Sequence, residues 1–183
     1  MRTAPAVTPE QVRAVIDTVP DPEMPPVTVG DLGMVHDVRV LPARNASSGE
    51  PASGARVEVD LLPTFSGCPA TQVIGDDVAR AVGALHGVAE VAVCFSFDEP
   101  WTPERITDRG RQRLRRFGIA PPEAAQAPRG CLPGGGLALA QAGTRCPVCG
   151  SSDTVLDSPF GPTPCRSTHY CNDCRNPFEA VKP

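Results

Sequence analysis

The sequence is poor in aromatic residues and has no excess of positive charge. Aromatic side chains make up 4% of the 183 residues, and 17 lysines and arginines stand against 21 aspartates and glutamates, for a formal net charge of −4. Proteins that bind single-stranded nucleic acid stack the bases on aromatic side chains, and nucleic-acid binding in general requires a positive surface. The composition therefore argues against a nucleic-acid partner.

Long apolar runs are also missing. The chain has no stretch of about 18 or more apolar residues, so we expect no membrane-spanning helix. Residues 1–10 show no apolar segment typical of a secretory signal. Walker, dinucleotide-binding, nucleophile-elbow and His-Glu-x-x-His motifs do not occur either. These absences predict a soluble, cytoplasmic protein without a membrane partner and without a familiar catalytic motif.

Cysteine, in contrast, is frequent, and four of the eight cysteines form two C-x-x-C pairs. Cys146 pairs with Cys149 and Cys171 pairs with Cys174, with 21 residues between the pairs. Each pair can turn both sulfurs toward one point, and four thiolates match the tetrahedral site that Zn²⁺ prefers. Disulfides, redox dithiols and iron at the same thiolates are the alternatives, but cytosolic cysteines at this spacing favour a metal. We predict a structural zinc ion held by these four cysteines.

Two further residues of the same segment are alternative ligands. Cys165 and His169 lie between the pairs and would give a Cys-x₃-His or a Cys-x₅-Cys pair in a different register. We favour the two C-x-x-C pairs, because each forms its own tight turn.

Three segments upstream of these cysteines have the features of amphipathic helices. The first begins at Thr8 as N-cap and keeps apolar residues at helical spacing to Val19. The second carries its apolar face within residues 73–82. The third is expected to start at Thr102 as N-cap and to run to about Phe117.

Alternating apolar and polar residues predict three strands, over residues 34–41, 56–61 and 89–97. Residues 42–55 are rich in Ser, Gly and Pro, and we expect them to form a mobile hairpin loop. Cys94 lies between apolar residues of the third strand and is expected in the core.

The composition divides the chain into three parts. Residues 8–117 contain the predicted helices and strands, and residues 118–143 are expected to form a Pro- and Gly-rich linker that contains Cys131. Residues 144–183 are expected to form a small zinc-ribbon domain, which has too little apolar surface to fold without its metal.

Two loops of the first domain hold residues with metal-binding or acid–base chemistry. Asp21, Glu23 and Asp31 lie in a Pro- and Gly-rich loop, where capping of backbone N–H groups is the commonest role of aspartate. Cys68 lies in a Gly-Cys-Pro turn before a helix, whose dipole favours a thiolate. Cys68 is thus either a reactive, metal-handling thiol or a small packed side chain. The order of the strands predicts that both loops share one edge of the sheet.

Six arginines between Arg105 and Arg116 give the third helix a basic surface, which Glu104 and Asp108 partly offset. A solvated helix face is the simpler interpretation, and a docking surface for an acidic partner is the alternative.

The Asp-Pro-Glu motif of residues 21–23 and the Gly-Cys-Pro motif of residues 67–69 resemble those of the iron–sulfur cluster assembly domain family, also known as domain of unknown function 59. Together with the C-terminal cysteine pairs, the chain resembles the D-subunit family of the bacterial phenylacetyl-CoA 1,2-epoxidases. These epoxidases are multicomponent di-iron monooxygenases of phenylacetate degradation. The resemblance implies a small α+β domain over residues 8–117, with helices on a three- or four-stranded sheet, followed by a zinc ribbon over residues 144–183.

The resemblance also implies an accessory role beside the di-iron oxygenase and reductase subunits of the epoxidase, which carry the oxygen chemistry. Consistent with this, the chain has no Glu-x-x-His pairs of the kind found in di-iron carboxylate sites. By the same resemblance, Cys68 would transiently receive or transfer iron or an iron–sulfur cluster, and Asp21 and Glu23 would shape its loop. A purely structural subunit is the alternative, and the sequence leaves homodimerisation open.

Overall fold

The computed structural model describes residues 7–44, 51–122 and 144–182, which form two compact units. The first unit extends to Trp101 and includes Arg105–Gly110, whereas the second comprises Thr102–Glu104 and the residues from Arg111 onward. The structure therefore divides the chain within its last helix, upstream of the predicted boundary at residue 117. Most of the predicted linker, residues 123–143 with Cys131, lies outside the described residues.

Up to the last helix, the described residues form three α-helices, three strands and one short 3₁₀ turn. In chain order they are α1 (Pro9–Ile16), β1 (Val35–Arg44), β2 (Pro51–Leu61), α2 (Thr71–Gly83), β3 (Val88–Phe95), a 3₁₀ turn (Pro103–Arg105) and α3 (Asp108–Arg116).

The first unit contains a three-stranded sheet in the order β1-β2-β3. Strands β1 and β2 are antiparallel, with Val35 opposite Leu61. Strands β2 and β3 are parallel, with Leu61 opposite Phe95, and α2 forms the crossover that a parallel pair requires. This is the α+β architecture that the sequence predicts, with three strands.

The core of the first unit lies between one face of this sheet and helices α1 and α2. The alternation in β2 buries Val57, Val59 and Leu61 completely. The intervening residues of β2 face the other side, where Arg39 pairs with Glu58 and Asp60 at 3.3 and 3.0 Å. The helices contribute Val12 and Ile16 of α1 and Ile74, Val78 and Val82 of α2.

The hairpin is longer than the sequence predicts. Strand β1 continues to Arg44 and β2 begins at Pro51, with Pro42 opposite Ala55, so the prediction of a loop is wrong for residues 42–44 and 51–55. Residues 45–50 lie outside the described residues. A proline is tolerated here because β1 is an edge strand, so the missing N–H costs no ladder hydrogen bond on its outer side.

Helix α3 starts later than predicted. Thr102 precedes only the short 3₁₀ turn, and α3 begins at Asp108. Thr107 supplies the cap instead, since its Oγ1 accepts a hydrogen bond from the backbone N–H of Gly110 at 3.0 Å.

A fully buried carboxylate, Asp31, attaches the start of α3 to the loop before β1. Its Oδ1 accepts a hydrogen bond from Arg109 Nε at 2.5 Å, and its backbone oxygen accepts one from the N–H of Thr107 at 2.9 Å. Gly110 packs so closely that a Cβ there would lie 2.6 Å from the Asp31 backbone oxygen. The hydrogen bond and the charge of Asp31 raise the pKa of Arg109. A buried charge requires such partners, so this contact fixes both segments.

The second unit contains a four-stranded sheet in the order β4-β7-β6-β5. Its strands are β4 (Ile119–Ala120), β5 (Thr154–Ser158), β6 (Arg166–Cys171) and β7 (Pro177–Val181). Strand β4, which falls in the predicted linker, pairs in parallel with β7. The core cluster of this ribbon is small and consists of Ala120, Cys146, Cys171, Phe178 and Ala180.

Within the described ranges, no helix has the length and apolar character needed to cross a membrane.

We expect the substitution Arg109→Met to lower the free energy of unfolding of the first unit by about 2 kcal/mol, because it removes a charged hydrogen bond from the buried Asp31 carboxylate. The side chain of Arg109 is 52% exposed, so solvent screening makes this loss smaller than that for a fully buried pair. Urea unfolding followed by the fluorescence of Trp101 measures this change. Trp101 is the single tryptophan, and its Nε1 donates to the backbone oxygen of Leu32 at 2.8 Å, next to Asp31. The exposed Arg116 of the same helix provides the matched control, Arg116→Met, which should leave the transition unchanged. An equal loss in both variants would contradict the role given to Asp31.

Candidate metal centre and thiol loop

The sulfurs of Cys146, Cys149, Cys171 and Cys174 all lie within 4.8 Å of one another. The distance from Cys146 Sγ to Cys174 Sγ is 3.6 Å, and that from Cys149 Sγ to Cys171 Sγ is also 3.6 Å. A tetrahedral site with Zn–S bonds of about 2.3 Å requires sulfurs about 3.8 Å apart. The four sulfurs therefore fit a tetrahedral thiolate site for a zinc ion.

Both C-x-x-C pairs form the same type of turn. The N–H of Gly150 donates to the backbone oxygen of Cys146 at 2.9 Å, and the N–H of Arg175 donates to that of Cys171 at 2.9 Å. The residue after each second cysteine adopts a positive φ, +77° at Gly150 and +58° at Arg175. Glycine adopts this conformation without strain, whereas arginine does so at an energetic cost.

The residues two positions after each second cysteine also stabilise the two turns through their backbone oxygens, and the sequence analysis did not predict this role. The backbone oxygens of Ser151 and Asn176 accept from the N–H groups of Cys146 and Cys171 at 2.9 and 3.0 Å. Ser151 and Asn176 each lie two residues after the second cysteine of their pair, and this shared spacing could have indicated their common role.

Hydrogen bonds and the neighbouring sulfurs give the thiols of Cys149 and Cys174 different pKa values. Hydrogen bonding from Asn176 lowers the pKa of the Cys174 thiol to about 6. At Cys149 the hydrogen bond from Ser151 favours the thiolate, but desolvation and the three neighbouring sulfurs together raise the pKa to about 12. The Cys149 thiol therefore holds its proton more tightly than the Cys174 thiol does. A divalent cation that binds all four sulfurs must displace protons, so its affinity rises with pH.

The structure places Cys165 and His169 outside the four-sulfur group. The Sγ of Cys165 lies 3.2 Å from Thr163 Oγ1. The ring of His169 stacks on Phe178 at a centroid distance of 5.4 Å, its Nε2 lies 3.0 Å from Ser167 Oγ, and burial lowers its pKa. Across the described parts of the chain, the four cysteines of the two pairs are the only group of three or more His, Cys, Asp or Glu side chains close enough to hold one metal ion.

The acidic loop and the Cys68 loop leave the first unit's sheet at the same end. Residues 21–33 lead into β1 and residues 62–70 follow β2, and Val35 and Leu61 form the last pair of the ladder between these strands. The N–H of Leu62 also donates to the backbone oxygen of Met34 at 2.7 Å. The antiparallel pairing therefore brings both loops to one edge of the sheet.

The side chains of both aspartates in the acidic loop accept hydrogen bonds from backbone N–H groups of the same loop. Asp21 is buried, and its Oδ1 accepts from the N–H groups of Glu23 and Met24 at 2.8 and 2.7 Å. Asp31 is the buried partner of Arg109 described above, whereas Glu23 is partly exposed.

Cys68 is partly exposed in a turn that leads into α2. Its N–H donates to the backbone oxygen of Phe65 at 3.0 Å, and its own backbone oxygen accepts from Thr71 Oγ1 at 3.2 Å. The N-cap of α2 is Ala70, which forms no side-chain cap hydrogen bond. A partly exposed thiol near the start of a helix can ionise and bind a metal ion.

The prediction that Cys94 lies in the core is wrong, because its side chain is exposed on β3. Cys94 is in register with Asp60 of β2, which lies on the face of the sheet opposite the core, so apolar neighbours in sequence did not indicate burial.

Two family models match the chain. The model described as "Iron-sulfur cluster assembly protein" matches residues 9–93, and that described as "PaaD zinc beta ribbon domain" matches residues 133–182.

Individual proteins are also similar to this chain. A protein of Escherichia coli, named as the putative D subunit of 1,2-phenylacetyl-CoA epoxidase, is 34% identical over 185 aligned positions that cover 100% of this chain and 99% of that protein. A protein of Porphyromonas gingivalis named "Fe-S protein maturation auxiliary factor" is 29% identical over 58% of this chain and 90% of its own length. Among solved structures, a conserved hypothetical protein from Thermotoga maritima is 30% identical, covers 61% of this chain and 97% of its own, and has a TM-score of 0.46.

The similarity to the E. coli protein extends over both units and includes the cysteine ribbon. The chain therefore belongs to the D-subunit family of the phenylacetyl-CoA epoxidases, in which an iron–sulfur cluster assembly domain precedes a PaaD zinc beta ribbon.

Proposed function

We propose that this protein is an accessory component of a multicomponent phenylacetyl-CoA epoxidase in the cytoplasm. In this role it assists the loading or maintenance of an iron or iron–sulfur centre of the complex. The observation that supports this most is the similarity over the whole chain to the E. coli protein, combined with similarity of the first unit to Fe–S maturation factors. Its partners are then the di-iron oxygenase and reductase components.

In this proposal the ribbon has a structural task. Cys146, Cys149, Cys171 and Cys174 hold a zinc ion, which supplies a four-point crosslink and removes the repulsion between the thiolates. Only a few side chains form the ribbon's core cluster, so packing alone gives it little stability. The zinc ion stays in place during function.

In the same proposal, Cys68 binds and transfers the iron or iron–sulfur cargo. Its thiol loses a proton to solvent, and its sulfur forms a bond to an iron atom of the cargo as a ligand of the donor leaves. The reverse exchange delivers the cargo. No electron is transferred in this ligand exchange, so no oxidant or reductant is needed. The hydrogen bonds that Asp21 accepts keep the neighbouring loop in shape.

A purely structural subunit is the second candidate, and the surface of the ribbon favours it. Val148 and Phe160 expose 63% and 79% of their area, and Val155 of the edge strand β5 exposes 48%. Exposed apolar side chains of this kind suit a contact with another protein of the complex. In that case Cys68 has no part in metal transfer.

The substitution Cys68→Ser distinguishes the two candidates. In cells that produce all epoxidase subunits, we expect this variant to lower both epoxidase activity and the iron content of the oxygenase component, because a serine hydroxyl does not replace a thiolate as an iron ligand. Cys94→Ser is the matched control, since Cys94 is also an exposed thiol of the first unit. Unchanged activity and iron content in Cys68→Ser, with normal co-purification of the subunits, would instead support the purely structural role.

The first cysteine turn allows a test of the zinc site that leaves every ligand in place. Gly150 has a φ of +77°, and a Cβ there would meet no atom within 4 Å, so a substitution tests backbone conformation alone. We expect Gly150→Val to weaken zinc binding about tenfold, because the left-handed conformation costs a side-chain-bearing residue about 1–2 kcal/mol. Competition with a chromogenic chelator measures the affinity.

Gly150→Asn is the control, since asparagine tolerates positive φ and should bind zinc nearly as well as glycine. Equal affinities for Gly150→Val and the wild type would contradict the assignment of this turn to the metal site.

A further inference from the structure

The second unit contains a cavity of about 680 Å³ beside the first cysteine turn. We call it the arginine cavity, because Arg111, Arg115 and Arg145 line it together with Glu104 and the prolines Pro121 and Pro122. Cys146, Pro147 and Gly150 of the first cysteine turn also line the cavity, so it borders the zinc site, but no step of the proposed zinc and iron chemistry takes place in it.

The three arginines reach the cavity from two segments. Arg111 and Arg115 are four residues apart in α3 and therefore lie on the same face of the helix. Arg145 immediately precedes Cys146, and its Nη1 donates to the backbone oxygen of Gly150 at 3.4 Å. The arginines thus converge only in the folded unit.

The guanidinium group of Arg111 is held in position by neutral groups. Its Nη1 donates to the backbone oxygen of Pro122 at 2.6 Å, and its Nη2 donates to that of Pro103 at 2.5 Å. Carbonyl oxygens orient a guanidinium group without cancelling its charge, so Arg111 keeps its positive charge for an anionic acceptor. Arg111 is therefore a fixed positive group at the wall of the cavity.

The charge around the cavity is positive and local. Three guanidinium groups and one carboxylate, Glu104, line it. A zinc ion with four thiolates carries two negative charges, which reduce this potential, so binding must be measured on the zinc-loaded protein. The whole chain is acidic, with a formal net charge of −4, so its overall charge does not favour nucleic acid as the ligand.

We propose that the arginine cavity binds the phosphate group of a small-molecule ligand. Arginine pairs with phosphate through two parallel hydrogen bonds, and a phosphate with several terminal oxygens can use several arginines at once, whereas a single carboxylate is satisfied by one. The volume lies within the range of small-ligand sites, about 300–1,000 Å³, and the proline walls offer apolar contact for the rest of the ligand. A phosphate ester or diphosphate of nucleotide size has this chemistry.

Isothermal titration of the zinc-loaded full chain with pyrophosphate and with ADP tests the proposal, with adenosine as the probe that lacks phosphate. We expect saturable binding of pyrophosphate and ADP and none of adenosine. Arg115→Gln and Arg145→Gln should each weaken binding about tenfold or more, as loss of a charged hydrogen bond implies. Arg116→Gln is the matched control, because Arg116 is exposed on the same helix and does not line the cavity.

Three results would overturn the proposal. The first is no binding of either phosphate probe at millimolar concentration. The second is equal weakening by Arg116→Gln, which would mean nonspecific attraction to the basic helix. The third is arginine-dependent binding of a glutamate-rich peptide but not of pyrophosphate, which would reassign the cavity to an acidic protein partner. The zinc content of each variant confirms that its ribbon is folded.

Discussion

The convergence of four cysteine sulfurs is the constraint on which the ribbon depends. Two of the four, Cys146 and Cys171, belong to the ribbon's core cluster, so the same side chains provide both its packing and its metal ligands. The short distances between the sulfurs oppose full ionisation, as the raised pKa of Cys149 indicates. A cation at the centre would remove this repulsion and hold two turns and two strands together at once.

The first unit depends on a different polar contact. The buried carboxylate of Asp31 joins Arg109 across 78 residues of sequence and fixes the loop that enters β1. The Cys68 turn leaves β2 at the same end of the sheet, so a rigid loop lies at the edge where the partly exposed thiol is presented. In each unit, charged or ionisable side chains thus fix an irregular segment: Asp31 and Arg109 fix the loop before β1, and the four cysteines fix the two turns of the ribbon. These segments are connected to regular strands of the two sheets.

Much of this architecture could be predicted from local sequence patterns. The alternation over residues 56–61 indicated the buried face of β2, and the spacing of the cysteine pairs indicated the group that the structure brings together. Contacts between distant segments could not be predicted. Thr102 and Thr107 are both acceptable caps, and only the contact of Thr107 with Asp31 decides where α3 begins. Likewise, Arg111, Arg115 and Arg145 line one cavity only because the chain folds, and Cys94 is exposed because its register with Asp60 places it on the face of the sheet opposite the core.

We propose a division of labour in which the ribbon keeps its metal permanently and Cys68 binds iron transiently. Metal analysis by mass spectrometry, on wild-type protein and Cys68→Ala purified without oxygen, tests this claim most directly. The account predicts one zinc ion per chain in both proteins and iron in the wild type alone. Absence of zinc from both, or equal iron in both, would contradict it.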